Sequence, residues 1–236
     1  MDAYSQKFQN YGEFKMINSK DEYIELSNAL VHKLGNMMML MEYSIKNIKE
    51  ENPEIITNQY FKYLEEDCMK MKFMVLQSRE LTNEIMLNKK KTNIKETIDG
   101  IVNRFFMACE ENNIIIRLDC EQDIEIELDN SKIEQVISNI IKNSVEELKE
   151  CDILNKRISI GIILNDEGVC ITINNNGRII EQEIINKIFQ PYYTSKNYWT
   201  GIGLALSKKI IEAHNGEIKA VSNEKDGTTF IISLQK

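Results

Sequence analysis

Two sets of heptad-spaced apolar residues flank a proline, and that pattern constrains the first ninety or so residues more than anything else in the chain. Pro53 stands in Glu51-Asn52-Pro53-Glu54. Proline suits the first turn of a helix and not its interior, so the chain reads as a helix, a tight turn and a second helix. Ser19, with Glu22 three residues on, gives the first helix a capping-box start. Ile24, Val31, Met38 and Ile45 form one row; Ser27, Leu34, Met41 and Ile48 form another. The second helix repeats the arrangement. Phe61, Cys68, Val75 and Thr82 make one row, Leu64, Met71, Ser78 and Ile85 the other, and Met74 and Leu81 widen the stripe. Such spacing is that of a coiled-coil seam. A lone hairpin cannot bury so wide an apolar face. Two hairpins joined in a four-helix bundle can, so a homodimer is expected.

The run Asn88-Lys89-Lys90-Lys91-Thr92-Asn93 breaks the heptads and reads as a linker into a second domain. There the periodicities alternate. Residues 98–111, 131–150 and 203–214 have helical patterns; 114–119, 124–128, 157–164, 168–173, 217–222 and 228–234 have strand patterns. Asn165-Asp166-Glu167-Gly168 is a hairpin turn signal. The expected fold is therefore α+β. A tail over 1–18 leads into a helical hairpin over 19–90, half of a dimeric four-helix bundle. A two-layer α/β sandwich over 91–236 follows.

Composition narrows the class. Of 236 residues, 42% are hydrophobic and 28% charged, as in ordinary globular proteins. No apolar run approaches the roughly 18–20 residues of a membrane span, and residues 1–11 lack the apolar stretch of a secretory signal. A net charge of −8 offers no broad basic surface for nucleic acid. The five cysteines are scattered without a C-x-x-C pair, which fits free thiols in a reducing cytoplasm.

Four segments of the second domain carry chemistry. The helix 131–150 contains Asn139-Ile140-Ile141-Lys142-Asn143. A strand ends in Asn174-Asn175-Asn176-Gly177. Ile188-Phe189-Gln190-Pro191 leads into Tyr192-Tyr193-Thr194-Ser195-Lys196, and Thr200-Gly201-Ile202-Gly203-Leu204 opens the next helix. Asparagines four apart on a helix face the same way. An amide oxygen is a hard, neutral ligand suited to Mg²⁺. Glycines before a helix let backbone N–H groups approach a phosphate.

In this order the segments resemble the N, G1, F and G2 boxes of the Bergerat-fold ATPases, the group of DNA gyrase, Hsp-type chaperones, mismatch-repair ATPases and sensor histidine kinases. The F-box, and the tail Ile211-Glu212-Ala213-His214-Asn215-Gly216, point to the histidine-kinase branch. The resemblance implies ATP and Mg²⁺ as ligands. It makes Asn143 the metal ligand and Asn139 its neighbour facing the phosphates. Lys142, Asn175, Gly177, Phe189, Lys196, Thr200, Gly201, Gly203 and Leu204 become the nucleotide contacts, with Asn175 accepting from the adenine amino group and Gly177 turning the chain past the base. Residues 194–199 would form a short lid. Three positions depart from the pattern: Asn175 replaces an aspartate, and Ile179 and Trp199 replace glycines. A neutral acceptor is weaker than a charged one by about 1 kcal/mol, which the fold tolerates; the two lost glycines alter lid mobility and nucleotide affinity, so weak ATP binding is expected.

The chain has two histidines. His214 ends a helix beside Asn215-Gly216 and reads as a structural cap and partner of the helix dipole. His32 lies beside the seam on an exposed face. Val31-His32-Lys33-Leu34-Gly35-Asn36 resembles the phosphoacceptor box of the kinases, which implies that His32 takes the γ-phosphoryl group and passes it to the receiver domain of a response regulator. Asn36, one turn on, would orient a water for dephosphorylation. Lys33 stands where these kinases carry an acid that serves as a base, and a lysine cannot replace it. Met37 replaces a proline, so the helix should run on unkinked; the methionines around it read as bundle packing. Two further readings stay open: a phosphotransferase, phosphatase or scaffold with a degenerate ATPase domain, similar to sporulation phosphotransferases, and a serine-directed kinase or ATP-driven clamp of the same superfamily.

Overall fold

The computed structural model describes residues 20–120, 122–194 and 200–235, with side chains in the first helix from residue 28 onward. The expected tail, Ser19, Lys196 and Trp199 lie outside the described residues, as do the side chains of Glu22, Ile24 and Ser27. The chain divides into two compact units, Met1–Thr82 and Asn83–Lys236.

In the first unit, α1 (Lys20–Glu51) and α2 (Gln59–Thr82) are joined by a short 3-10 helix, Pro53–Thr57. Pro53 thus opens the connecting turn and not the second helix. Asn58 starts α2 instead: its Oδ1 accepts from the N–H groups of Tyr60 at 2.9 Å and Phe61 at 3.2 Å. Such a cap is worth about 1 kcal/mol. The helix ends at Thr82, so Ile85 falls outside the stripe assigned to it. The heptad rows separate cleanly. Val31, Met38, Phe61 and Cys68 are buried between the helices, while Leu34, Met41, Leu64 and Met71 stay 36–47% exposed. One row closes the hairpin; the other faces away from it. Lys49–Glu65 at 2.8 Å and Lys72–Glu42 at 2.7 Å bridge the helices. Such part-exposed pairs contribute at most about 1 kcal/mol each.

The second unit runs β1 (Lys90–Asn93), α3 (Ile94–Glu110), β2 (Ile114–Asp119), β3 (Glu125–Leu128), α4 (Asn130–Glu150), β4 (Lys156–Leu164), β5 (Gly168–Asn175), a 3-10 turn (Lys187–Phe189), α5 (Gly203–Ala213), β6 (Glu217–Asn223) and β7 (Gly227–Gln235). Five strands form one sheet in the order β2-β4-β5-β7-β6. Within it, β2 and β4 run parallel and the other neighbours antiparallel. The lysine run expected as a linker is the strand β1. It pairs antiparallel with β3, Thr92 opposite Ile126, and sets Lys91 against Glu125. A polar strand without alternation shows itself only through its partner. Helix α3 starts at Ile94 and not at residue 98, because Asn93 caps it: Oδ1 accepts from the N–H groups of Lys95 and Glu96.

On α4, Ile133, Val136, Ile137, Ile140, Ile141, Val145 and Leu148 are buried at helical spacing. Helix α4 packs on β4 and β5 between α3 and α5, which lie against β2 and β6 respectively. The shared core includes Ile158, Ile160, Ile171, Ile173 and Ile232. One helical layer on one mixed sheet is the expected sandwich. Among the described residues, no helix is long and apolar enough to cross a membrane.

His214 links three parts of this unit. It is buried; its Nε2 accepts from the Asp129 N–H at 3.0 Å, and its Nδ1 lies 2.8 Å from the Ile210 carbonyl. Nε2 must be an acceptor, so the proton sits on Nδ1 and the ring is neutral. It caps α5 as expected, but not as a cation. Burial pushes its pKa below the ordinary value and nearby Lys89 adds to this, against the Ile210 carbonyl and Asp129. For Asp129, burial alone would raise the pKa, but hydrogen bonds from Asn88, Ser131 and Lys132 outweigh it and hold the carboxyl below its usual value. The folded state therefore binds fewer protons than the unfolded chain once pH falls through the ordinary histidine range. Stability is full above it and drops below. The melting temperature should fall between about pH 7.5 and 5.5, and His214→Asn should lack that step while losing about 2–4 kcal/mol at neutral pH. A wild-type melting temperature that stays flat over this window would overturn the assignment.

Candidate functional site

The site is built on α4, the end of β5 and the start of α5. Asn139 and Asn143 lie one turn apart on α4, both half-buried. The Asn139 amide donates to the Gly203 carbonyl at 3.3 Å and to Ser207 Oγ at 3.4 Å. Ser207 is fully buried and donates to the same carbonyl at 2.9 Å. Asn139 thus ties α4 to the first turn of α5. The Asn143 side chain makes no hydrogen bond among the described residues, so its amide oxygen is available to a ligand. Lys142 is exposed on the same helix.

Asn175 ends β5 and is 3% exposed. Its Oδ1 accepts from the Gly177 N–H at 3.1 Å, and its amide donates to Ser144 Oγ at 3.2 Å. Gly177 leaves no free space for a side chain: a Cβ there would stand 2.9 Å from Glu147 Cγ and 3.0 Å from Asn175 Oδ1. The next residue, Arg178, clamps the loop to α4 through Glu147 at 2.7 Å and Glu150 at 2.9 Å. Hydrogen bonding to Glu147 is the main cause that raises its pKa. Ile179, the first altered glycine position, is exposed.

Gly201 has φ +63°, and a Cβ on it would meet Tyr192 C at 2.5 Å and Tyr193 O at 2.7 Å. The Tyr192 N–H donates to the Gly201 carbonyl at 3.0 Å, which pins together the two ends of the segment between them. Thr200 Oγ1 accepts from the Ile202 N–H at 3.2 Å. Among the described residues no side chain caps α5 at Ile202, so the first N–H groups of that helix keep their anion-attracting character. Gly203 has room, since a Cβ on it would lie 3.8 Å from Asn139 Cγ. Leu204 is half-buried. Phe189 sits in the 3-10 turn, its ring edge-on to Phe230 of β7 at 6.5 Å, so it belongs to the packing as much as to any pocket.

Among the described residues, no group of three or more His, Cys, Asp or Glu could hold a metal by itself. One neutral oxygen donor suits a Mg²⁺ ion that arrives with phosphates and keeps its waters. The donor set fits a metal–nucleotide complex and not a resident metal.

On the hairpin, His32, Lys33 and Asn36 are exposed. Asn36 Nδ2 lies 3.5 Å from His32 Nδ1, at the limit of a hydrogen bond. Met38 is buried, but Met37 and Met39 are about 60% exposed, so in a single chain the methionines do not pack as one set.

Ser144 and Ser207 are the two site residues that sequence reasoning missed. Ser144 did leave a signal, since it interrupts the apolar series Val136, Ile140, Leu148 on α4. Ser207 is fixed by a contact across helices and left none.

The family described as "Histidine kinase-, DNA gyrase B-, and HSP90-like ATPase" matches residues 128–236. The chain is 30% identical over 226 residues to the sensor protein kinase WalK of Staphylococcus haemolyticus, covering 92% of this chain and 34% of that protein. Among solved structures, the catalytic domain of histidine kinase ThkA is 30% identical with a TM-score of 0.58, over 63% of this chain and 98% of that one. Histidine kinase ThkA in complex with the response regulator protein TrrA is 26% identical with a TM-score of 0.64, over 90% of this chain and 61% of that one. The chain spans about a quarter to a third of the length of the first curated relatives it matches.

Proposed function

The chain belongs to the two-component histidine kinase family, and from that premise we propose that it uses ATP to phosphorylate His32 and then passes the phosphoryl group to an aspartate on the receiver domain of a response regulator. The observation that carries this reading is the available amide of Asn143 on α4, the helix that Asn139 ties to the glycine-led start of α5. Asn143 would hold the Mg²⁺ that accompanies the nucleotide. The metal supplies neutralisation of the charge on the phosphates. Gly201 and Gly203 bring backbone N–H groups to those phosphates, and Asn175 accepts from the base. Thr200 and Leu204 flank that start, and Lys142 and Lys196 add positive charge.

In the first step a lone pair of the His32 ring nitrogen attacks the γ-phosphorus. An N–P bond forms, the bond to the bridging oxygen breaks, and ADP leaves with its electron pair. The ring proton passes to solvent, because Lys33 cannot take it. In the second step an aspartate oxygen of the regulator displaces the imidazole. That ThkA has been solved with a response regulator supports this class of partner. The uncovered heptad row of Leu34, Met41, Leu64 and Met71 supports a homodimer, in which a second hairpin completes a four-helix bundle. Reactions that consume ATP and phosphorylate a regulator belong to the cytoplasm.

Incubation with γ-labelled ATP and Mg²⁺ tests the reading. Acid-labile label is expected, from protein that runs at a two-chain mass in light scattering. Label taken only from a phosphorylated regulator would replace the kinase with a phosphotransferase, and label that survives acid would place the chemistry on a hydroxyl.

A further inference from the structure

Resting on the ATP-binding reading, we propose that Ser144 is a positioning residue for base recognition: it holds the Asn175 amide so that only its oxygen is offered to the base, which selects a 6-aminopurine over a 6-oxopurine. Three hydrogen bonds lead there. The Gly177 N–H donates to Asn175 Oδ1 at 3.1 Å. A backbone N–H can only donate, so the amide oxygen must lie on that side. The amide nitrogen must then lie on the Ser144 side, where it donates to Oγ at 3.2 Å. Ser144 sends its own proton to the Ile140 carbonyl at 3.0 Å, which leaves Oγ to accept. Asn175 is 3% exposed and Ser144 1%, so water does not substitute for either bond. Without a hydroxyl at 144, a buried amide nitrogen would lack an acceptor, and turning the amide over would become competitive.

An amide oxygen has two lone pairs, and Gly177 uses one. The second can accept from an amino group such as the one on adenine. Opposite an oxo group, as on guanine, it would face another acceptor. The polarity of one amide thus becomes a choice between bases. A carboxylate at 175 would have no polarity to lose, since both of its ends accept. Ser144 should therefore matter to base choice only while residue 175 is asparagine.

That condition is the test. Calorimetry with Mg-ATP and Mg-GTP is run on the wild type, Ser144→Ala, Asn175→Asp and the double variant, with melting temperatures alongside. The wild type should prefer ATP by about tenfold or more, and Ser144→Ala should lose most of that preference along with roughly tenfold in ATP affinity. In the Asn175→Asp background the same Ser144→Ala change should leave the preference intact. A preference that Ser144→Ala leaves unchanged, or reduces equally in both backgrounds, overturns the inference while ATP binding stands. A wild type that binds neither nucleotide overturns the ATP-binding reading and the inference with it.

Discussion

Glutamine in place of His32 should abolish acid-labile phosphorylation, by at least about a thousandfold, while ATP binding and thermal stability hold. The side chain is exposed on α1, and its contact with Asn36 at 3.5 Å is marginal. Surface changes of this kind shift stability by no more than about 0.5 kcal/mol. A glutamine nitrogen is an amide whose lone pair is delocalised, so it cannot form the N–P bond. Asn143→Ala should also remove most of the label, by about a hundredfold or more, but through a different quantity: Mg-ATP binding is lost with it. Calorimetry separates the two. Label that persists in His32→Gln would move the phosphoacceptor elsewhere, and undiminished Mg-ATP binding by Asn143→Ala would remove that residue from the site.

The candidate site was legible in the sequence wherever a proposed role is local. Asn139 and Asn143 need only a helix and a spacing of four, and Gly201-Ile202-Gly203 needs only a helix to follow. Elements with their own apolar period, such as α4 and the strands of the five-stranded sheet, were legible for the same reason. What escaped depends on contacts between segments distant in the chain. Strand β1 exists because β3 pairs with it, and its lysines carry no alternation to announce it. The Asn58 cap displaced Pro53 from the start of α2, since a proline turn and a capped helix compete for the same few residues. His214 was legible as a cap but not as a neutral one. Its charge state is set by the Asp129 N–H, 85 residues away in sequence. At Asn175 the residue type implied an acceptor, while the direction in which the amide points came only from Ser144 and Gly177.

The two glycines at the start of α5 should respond to alanine in opposite ways. Gly201 has φ +63°, and a Cβ there would collide with the backbone of Tyr192 and Tyr193 at 2.5–2.8 Å. Backbone cannot swing aside as a flexible side chain can. Strain and overlap together should cost about 2–4 kcal/mol, a fall in melting temperature on the order of 10 °C for a unit of this size. Gly203 lies inside the first turn of α5, and its nearest neighbour, Asn139, would be 3.8 Å from the new methyl, an ordinary contact. Alanine favours a helix over glycine by up to about 1 kcal/mol, so Gly203→Ala should melt at or slightly above the wild type. Its effect should fall on the ligand. A methyl at the head of the helix stands where a phosphate must approach the N–H groups, and ATP affinity should drop by about tenfold or more. Melting curves and calorimetry on both variants resolve the two roles. If Gly203→Ala binds Mg-ATP as the wild type does, the start of α5 is not the phosphate site; if Gly201→Ala melts like the wild type, its left-handed backbone is not what holds the Tyr192 and Gly201 ends together.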